Sequence, residues 1–166
     1  ALNATEGEEM VKAVEKADAV WSEVYILFTG QDMNISASLP VYDERQNLLG
    51  VVSNGIFLSH ISDFLKGLQI GKTGQTFMME RSGLLVGSST DELPFTPLNG
   101  QEPQQRLHAD KSEIPAIHRT AQFLAAQFDG YHNISGEHLL QFDIDDEQQF
   151  VQVLPFKDAF GLDWLI

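Results

Sequence analysis

The sequence predicts an α+β fold, an antiparallel sheet with flanking helices, and three observations carry that reading. Residues 34–41 alternate with the two-residue period of a half-buried strand, Ile35, Ala37, Leu39 and Val41 on one side, Asn34, Ser36, Ser38 and Pro40 on the other. From Phe57 the apolar spacing changes to that of a helix, with Phe57, Ile61, Phe64, Leu65 and Leu68 on one stripe. From there the elements run helix, two strands, long loop, helix and three strands. That order stacks helices on one side of an antiparallel sheet.

Taken in order, Thr5 and Glu8 form a capping-box pattern ahead of apolar Met10, Val11, Val14 and Ala17. A helix is expected from about residue 6 to 17, with Glu8, Glu9, Lys12, Glu15 and Lys16 on its solvent side. Residues 21–28 are aromatic and β-branched and predict a strand. Gly30-Gln31-Asp32 is a turn, 34–41 the alternating strand, 43–47 a polar turn, and 48–52 a third strand, which makes a meander. After the helix that begins at Phe57, Gly67 and Gly71 bracket its end. Residues 76–89 form a hairpin about Arg81-Ser82-Gly83, where Gly83 supplies a residue tolerant of positive φ.

Residues 90–110 hold Pro94, Pro97, Gly100 and Pro103 and read as a long loop, a kind of segment often functional. Ser112 is expected to cap the next helix, with Pro115 in its first turn. Ile114, Ile117, Ala121, Leu124, Ala125 and Phe128 form its buried stripe, and Asp129-Gly130 ends it. Strands over 139–144, 150–154 and 162–166 finish the chain, the first two joined by the acidic run 143–147.

At 166 residues the chain has the length of about one domain and can bury a core without staples; it has no cysteine, so neither disulfides nor thiolate metal sites enter. The net charge of −14 repels phosphate backbones and anionic headgroups, which argues against nucleic acid and lipid as partners. No apolar run is long enough to span a membrane. The chain begins without Met and shows no signal-peptide pattern, so it is expected to be an excised soluble piece. Three Asn-x-Ser/Thr triplets, at Asn3, Asn34 and Asn133, are short matches that carry little information.

Two motif-like stretches fail on spacing and context. Gly67–Thr73 suggests a phosphate loop, but three residues rather than four separate its glycines, and it follows a helix instead of opening one. Asp143, Asp145 and Glu147 suggest a calcium loop, but Gln148 stands where the sharp turn needs glycine. The histidines, His60, His108, His118, His132 and His138, form no metal-binding helical pair, and no nucleophile elbow is present. No metal, cofactor or catalytic residue is therefore expected.

Several segments, in order, resemble double Cache sensor domains. They are Ile35–Asp43, Leu49-Gly50-Val51-Val52, Ile61–Leu65, Ile70–Phe77 with its hairpin, and Gly161–Ile166. The resemblance covers nearly the whole chain. It implies an extracytoplasmic, PAS-like ligand sensor of a prokaryotic transmembrane receptor: a histidine kinase, chemoreceptor or nucleotide cyclase. Residues 1–55 would be the last part of a membrane-distal module and 56–166 the membrane-proximal module. The sensor itself would not be an enzyme. The parent receptor would be anchored in the membrane by flanking helices and work as a homodimer. Members that bind amino acids carry an Arg-x-Trp-Tyr cluster, absent here, and an Asp at the position that is Gly55 in this chain. Asn54 is the candidate substitute.

The expected partner is a small-molecule ligand. Trp21, Tyr25 and Asn54 are the candidate contacts in the first module, and Phe77, Met79, His118, Tyr131 and Phe142 in the second. These follow from strand parity and closeness to the 90–110 loop. The alternatives are a small hydrolase with its site under that loop, or a non-catalytic module that binds other proteins. A truncated meander also leaves an open edge and an apolar face, expected to pair with another chain or pack tightly.

Overall fold

The computed structural model describes residues 4–97, 103–145 and 147–166. The chain divides into two compact units, Ala1–Leu58 with Asp158–Leu162, and Ser59–Lys157 with Asp163–Ile166.

The first unit contains α1 (Ala4–Lys16), β1 (Val20–Trp21), β2 (Tyr25–Ile26), β3 (Met33–Tyr42) and β4 (Leu48–Phe57). β3 is its centre: β1 and β2 pair antiparallel with β3, and β4 pairs antiparallel with it too. The single strand expected over 21–28 is split. Trp21 lies opposite Ala37 and Tyr25 opposite Asn34, so three intervening residues face two and the register slips by one. That is a β-bulge, and it turns Tyr25 onto the face that simple alternation would deny it. Phe28, beyond β2, is almost fully exposed in a turn.

Three further expectations change. Phe57 belongs to β4, opposite Asn34, and does not open the helix, because the β3 ladder holds it extended. On α1 the buried residues are Ala13 and Glu9, while Val11 is exposed; the capping-box Thr5 side chain lies outside the described residues. On β3, Asn34, Ser36, Ser38 and Pro40 are buried, whereas Leu39 and Val41 are 49% and 37% exposed. The reason is shared: Glu9 of α1 reaches Ser38, so the helix covers the hydroxyl-bearing face.

The second unit contains α2 (Ser59–Gly67), β5 (Phe77–Glu80), β6 (Leu85–Ser88), α3 (Pro115–Phe128), β7 (His138–Ile144), β8 (Glu147–Val153), β9 (Pro155–Lys157) and β10 (Asp163–Leu165). Its sheet has the order β6-β5-β10-β9, and β7 and β8 form a separate antiparallel hairpin. Ile117, Ala121 and Leu124 of α3 pack with Met79, Leu85, Val153 and Leu165 from the strands. A buried side chain of this kind contributes about 1.5–3 kcal/mol.

α3 ends as expected, with Asp129 left-handed at φ 52 and Gly130 at φ 106. Its start differs. Ile114 is the N-cap and makes no side-chain cap, while the Ser112 hydroxyl accepts the Ile114 N–H at 3.1 Å and donates to Glu92.

The β5–β6 turn is fixed by Arg81 and Gly83. Arg81 is buried; its Nη1 donates to the carbonyls of Tyr131 (2.9 Å) and Ile134 (2.7 Å), and its Nε to Asp163 (2.8 Å). Gly83 has φ +90, and a Cβ there would stand 2.6 Å from His108 Cε1 and 2.7 Å from Tyr131 Cε2. Of the 90–110 segment, 98–102 lie outside the described residues, and the rest runs beside the hairpin, with bridges Leu84↔His108 and Phe95↔Arg106. In the acidic turn 143–147, Asp145 is left-handed at φ 51 and Asp146 lies outside the described residues.

Candidate functional site

In the first unit the buried face of β3 carries a row of polar side chains. Asn34 Nδ2 donates to Tyr25 Oη at 2.8 Å and to Ser36 Oγ at 3.0 Å, and Tyr25 Oη lies 3.2 Å from Ser36 Oγ. All three residues are buried, as is Ser22, whose Oγ accepts the Ser36 N–H at 3.0 Å. Further along, Ser38 Oγ donates to Glu9 Oε1 at 2.9 Å and Ser53 Oγ reaches the same oxygen at 3.4 Å. Glu9 is 2% exposed, and its second oxygen, Oε2, has no hydrogen-bond partner among the described residues. Satisfied polar groups on a buried sheet face are ordinary; a buried carboxylate oxygen lacking a donor carries a desolvation cost.

Gly55 completes this face. It pairs with Ser36, and a Cβ on it would lie 2.8 Å from Asn34 Nδ2. Asn34 therefore fills the space beside Gly55. Asn54 pairs with Ala37, on the side of the sheet opposite Asn34, and is exposed. The bulge likewise separates two of the expected contacts: Tyr25 shares a face with Asn34, and Trp21 shares the other with Ala37.

On that other face the Trp21 indole N–H donates to Asp158 Oδ2. Burial pushes the Asp158 carboxyl up, but the Trp21 bond and the N–H groups of Leu162, Phe160 and Gly161 outweigh it and hold the group below its ordinary 3.8.

The second unit has a cavity of about 780 Å³, open to one side, lined by Phe77 and Met79 together with Ile117, Leu124 and the β8 strand. Among the described residues its wall includes no Asp, Glu, Lys, Arg or His and none of the 90–110 segment. The other candidates of this unit lie elsewhere. Phe142 stacks on Phe123 with ring centroids 4.5 Å apart. Tyr131 is buried in the core and its hydroxyl donates to the Ala121 carbonyl at 3.1 Å; burial first, then the Asp110 charge, pushes its pKa up. His118 is half-buried on α3. Among the described residues no group of three or more His, Asp or Glu side chains is placed to hold a metal ion.

Four residues of the polar face, Glu9, Asn34, Ser36 and Ser38, were not singled out by the sequence. The three on β3 stand on the side that the alternation set against Ile35; Ile35 is buried as expected, and the two sides differ only further along, where Ser38 and Pro40 are buried and Leu39 and Val41 exposed.

The chain shares its fold with ligand-binding domains of bacterial receptors. Over 99% of its length it superposes on the ligand-binding domain of the Pseudomonas aeruginosa PAO1 amino acid chemoreceptor PctC in complex with GABA, with a TM-score of 0.58, 19% identity and 61% of that chain covered. Over 99% it also matches the ligand-binding domain of the Campylobacter jejuni chemoreceptor Tlp3 in complex with 4-methylisoleucine, with a TM-score of 0.58, 13% identity and 52% of that chain covered. A third match, again over 99% of this chain and at a TM-score of 0.55, is the extracellular domain of a protein described as a histidine kinase, mmHK1S-Z3; identity is 12% and 54% of that chain is covered. The chain thus spans about half to three-fifths of the length of these structures. No protein-family model and no curated protein sequence matches it. The mixed α and β architecture with antiparallel sheets is the fold of these domains. Among the described residues no helix is long and apolar enough to cross a membrane.

Proposed function

We propose that this chain is an extracytoplasmic ligand-sensing domain of a transmembrane receptor, and that its ligand is a small molecule held on the polar face of the first unit. The observation that carries this reading is the superposition of 99% of the chain on receptor ligand-binding domains. Tyr25, Asn34 and Ser36 would supply its hydrogen-bonding groups, and Glu9 Oε2 is an acceptor in want of a donor. That favours a ligand with an N–H or O–H group, an ammonium included. Gly55 removes one carboxylate from the face, and Glu9 brings one in from the helix side. Signalling would follow from the ligand's differential affinity for two arrangements of α1 on the sheet. Membrane anchoring by flanking segments and homodimerisation of the parent receptor belong to the same proposal.

The test is NMR titration of the labelled chain with primary amines, amino acids and small neutral polyols. The expected result is a set of saturable shifts at the amides of Tyr25, Asn34, Ser36 and Ser38, lost in Tyr25→Phe and Asn34→Ala. Saturable shifts confined to the second unit would overturn the assignment of the site.

A further inference from the structure

One loop does not belong to the unit whose strands it joins. The chain leaves the second unit after Lys157, contributes Asp158–Leu162 to the first, and returns at Asp163. The base of this loop is closed: Lys157 and Asp163 are register partners of β9 and β10, and their side chains pair at 2.9 Å. The strand that follows is β10, which lies between β5 and β9 in its sheet. Its Trp164 and Leu165 are buried, and its Asp163 holds Arg81. A displacement of the loop is therefore delivered to an inner strand and not to an edge.

The loop is built around one carboxylate whose two oxygens have separate tasks. Asp158 Oδ1 accepts the N–H groups of Phe160, Gly161 and Leu162, each at 2.9 Å. Those bonds, with Gly161 at φ +114, shape the turn itself. Asp158 Oδ2 accepts the indole N–H of Trp21 instead. A bond from a neutral donor to an ionised acceptor is stronger than one between neutral groups. Trp21 ends β1 on one side of the bulge, and Tyr25 opens β2 on the other.

From this division of labour we propose that Asp158–Leu162 is a strap that carries a change at β1 into β10, shaped by Asp158 Oδ1 and fastened to Trp21 by Asp158 Oδ2. Trp21 and Asp158 are positioning residues, and Trp21 lies on the face of the sheet opposite Asn34. The strap rests on the ligand reading only for the origin of the change: a ligand beside Tyr25 acts on β1 across the bulge. With its base pinned by Lys157 and Asp163 and its tip by Trp21, so short a loop has little slack to absorb that change.

The two oxygens also define the variant that unfastens the strap without unfolding it. Asp158→Asn keeps an Oδ1 for the three backbone donors and puts an amide nitrogen, which accepts no hydrogen bond, where Oδ2 stood. Amide exchange by NMR on the full chain, with no ligand present, gives the readout. Gly55→Ala loosens the first unit through its collision with Asn34. The strap passes that on, so the Trp164 and Leu165 amides should exchange about tenfold faster than in the parent chain. In the Asp158→Asn background, and likewise in Trp21→Phe, adding Gly55→Ala should change them less than about twofold. Asn34→Ala supplies the same loosening if Gly55→Ala does not fold, and the Leu124 amide reports that the second unit is folded. Trp164 and Leu165 amides that ignore the loosening, or that respond to it equally with Asp158→Asn in place, would overturn the strap. Because no ligand enters, that failure leaves the ligand site standing, and failure of the ligand site leaves the strap.

Discussion

Replacing Arg81 by Met should destabilise the second unit, and the structure sets the size of the loss. Arg81 Nη1 supplies charge-assisted hydrogen bonds to the carbonyls of Tyr131 and Ile134, and its Nε reaches Asp163. Removing the guanidinium takes a donor from both carbonyls, but the Tyr131 carbonyl keeps the Ile134 N–H at 3.3 Å, so the full cost of about 1–3 kcal/mol falls on the Ile134 carbonyl. The Asp163 carboxylate is 41% exposed, so that ion pair adds no more than about 1 kcal/mol. A loss of about 1–4 kcal/mol follows, which for a chain of this size is a fall in Tm of roughly 2–16 °C. Chemical denaturation at pH 7 measures it, with Arg81→Lys expected to lose less because one donor survives.

The same variant has a pH signature. Burial pushes Asp163 up, but Lys157 and Arg81 outweigh it and hold the carboxyl below 3.8. A carboxylate with a lowered folded pKa contributes its stability above its unfolded value and loses it as pH falls through the folded one. The parent chain should therefore lose stability more steeply below about pH 4 than Arg81→Met does. A destabilisation under about 1 kcal/mol, with parallel pH curves, would refute the reasoning.

Two other expectations concern the first unit. Gly55→Ala should destabilise it by about 1–3 kcal/mol through collision with Asn34, and adding Asn34→Ala should return part of that loss, a coupling that a double-mutant cycle reads directly. With Trp164 replaced by Phe, Trp21 is the remaining tryptophan, and its emission should titrate at a pH below 3.8 as Asp158 takes up a proton; Asp158→Ala should abolish the transition.

Much of this fold was legible because periodicity survives folding where one side of an element is consistently buried. The stripe of Ile117, Ala121 and Leu124 and the Asp129-Gly130 stop stand where their spacing put them. Gly83 in the hairpin turn likewise obeys a local backbone rule. The first unit was harder. Its register depends on a bulge between Trp21 and Tyr25 that no spacing announces, and that one-residue slip decides which aromatic shares a face with Asn34. The polar face of β3 was assigned to solvent because its cover, α1, presents Glu9 rather than a hydrophobe. A carboxylate accepting from Ser38 and Ser53 makes a polar surface buriable, and that pairing is tertiary. The cavity was looked for under the 90–110 loop, yet its walls are the start of β5 and the free edge of β8, which only strand pairing defines.

The central claim is that the first unit holds a small molecule on the face of Tyr25, Asn34 and Ser36. Thermal unfolding of the chain against a panel of amines, amino acids and neutral polar metabolites tests it most directly. A compound present at 100 times its Kd should stabilise the fold by about 2.7 kcal/mol, with the shift abolished by Asn34→Ala and preserved in Phe142→Leu. A panel in which no compound raises the midpoint, or a shift that Asn34→Ala leaves intact, would contradict it.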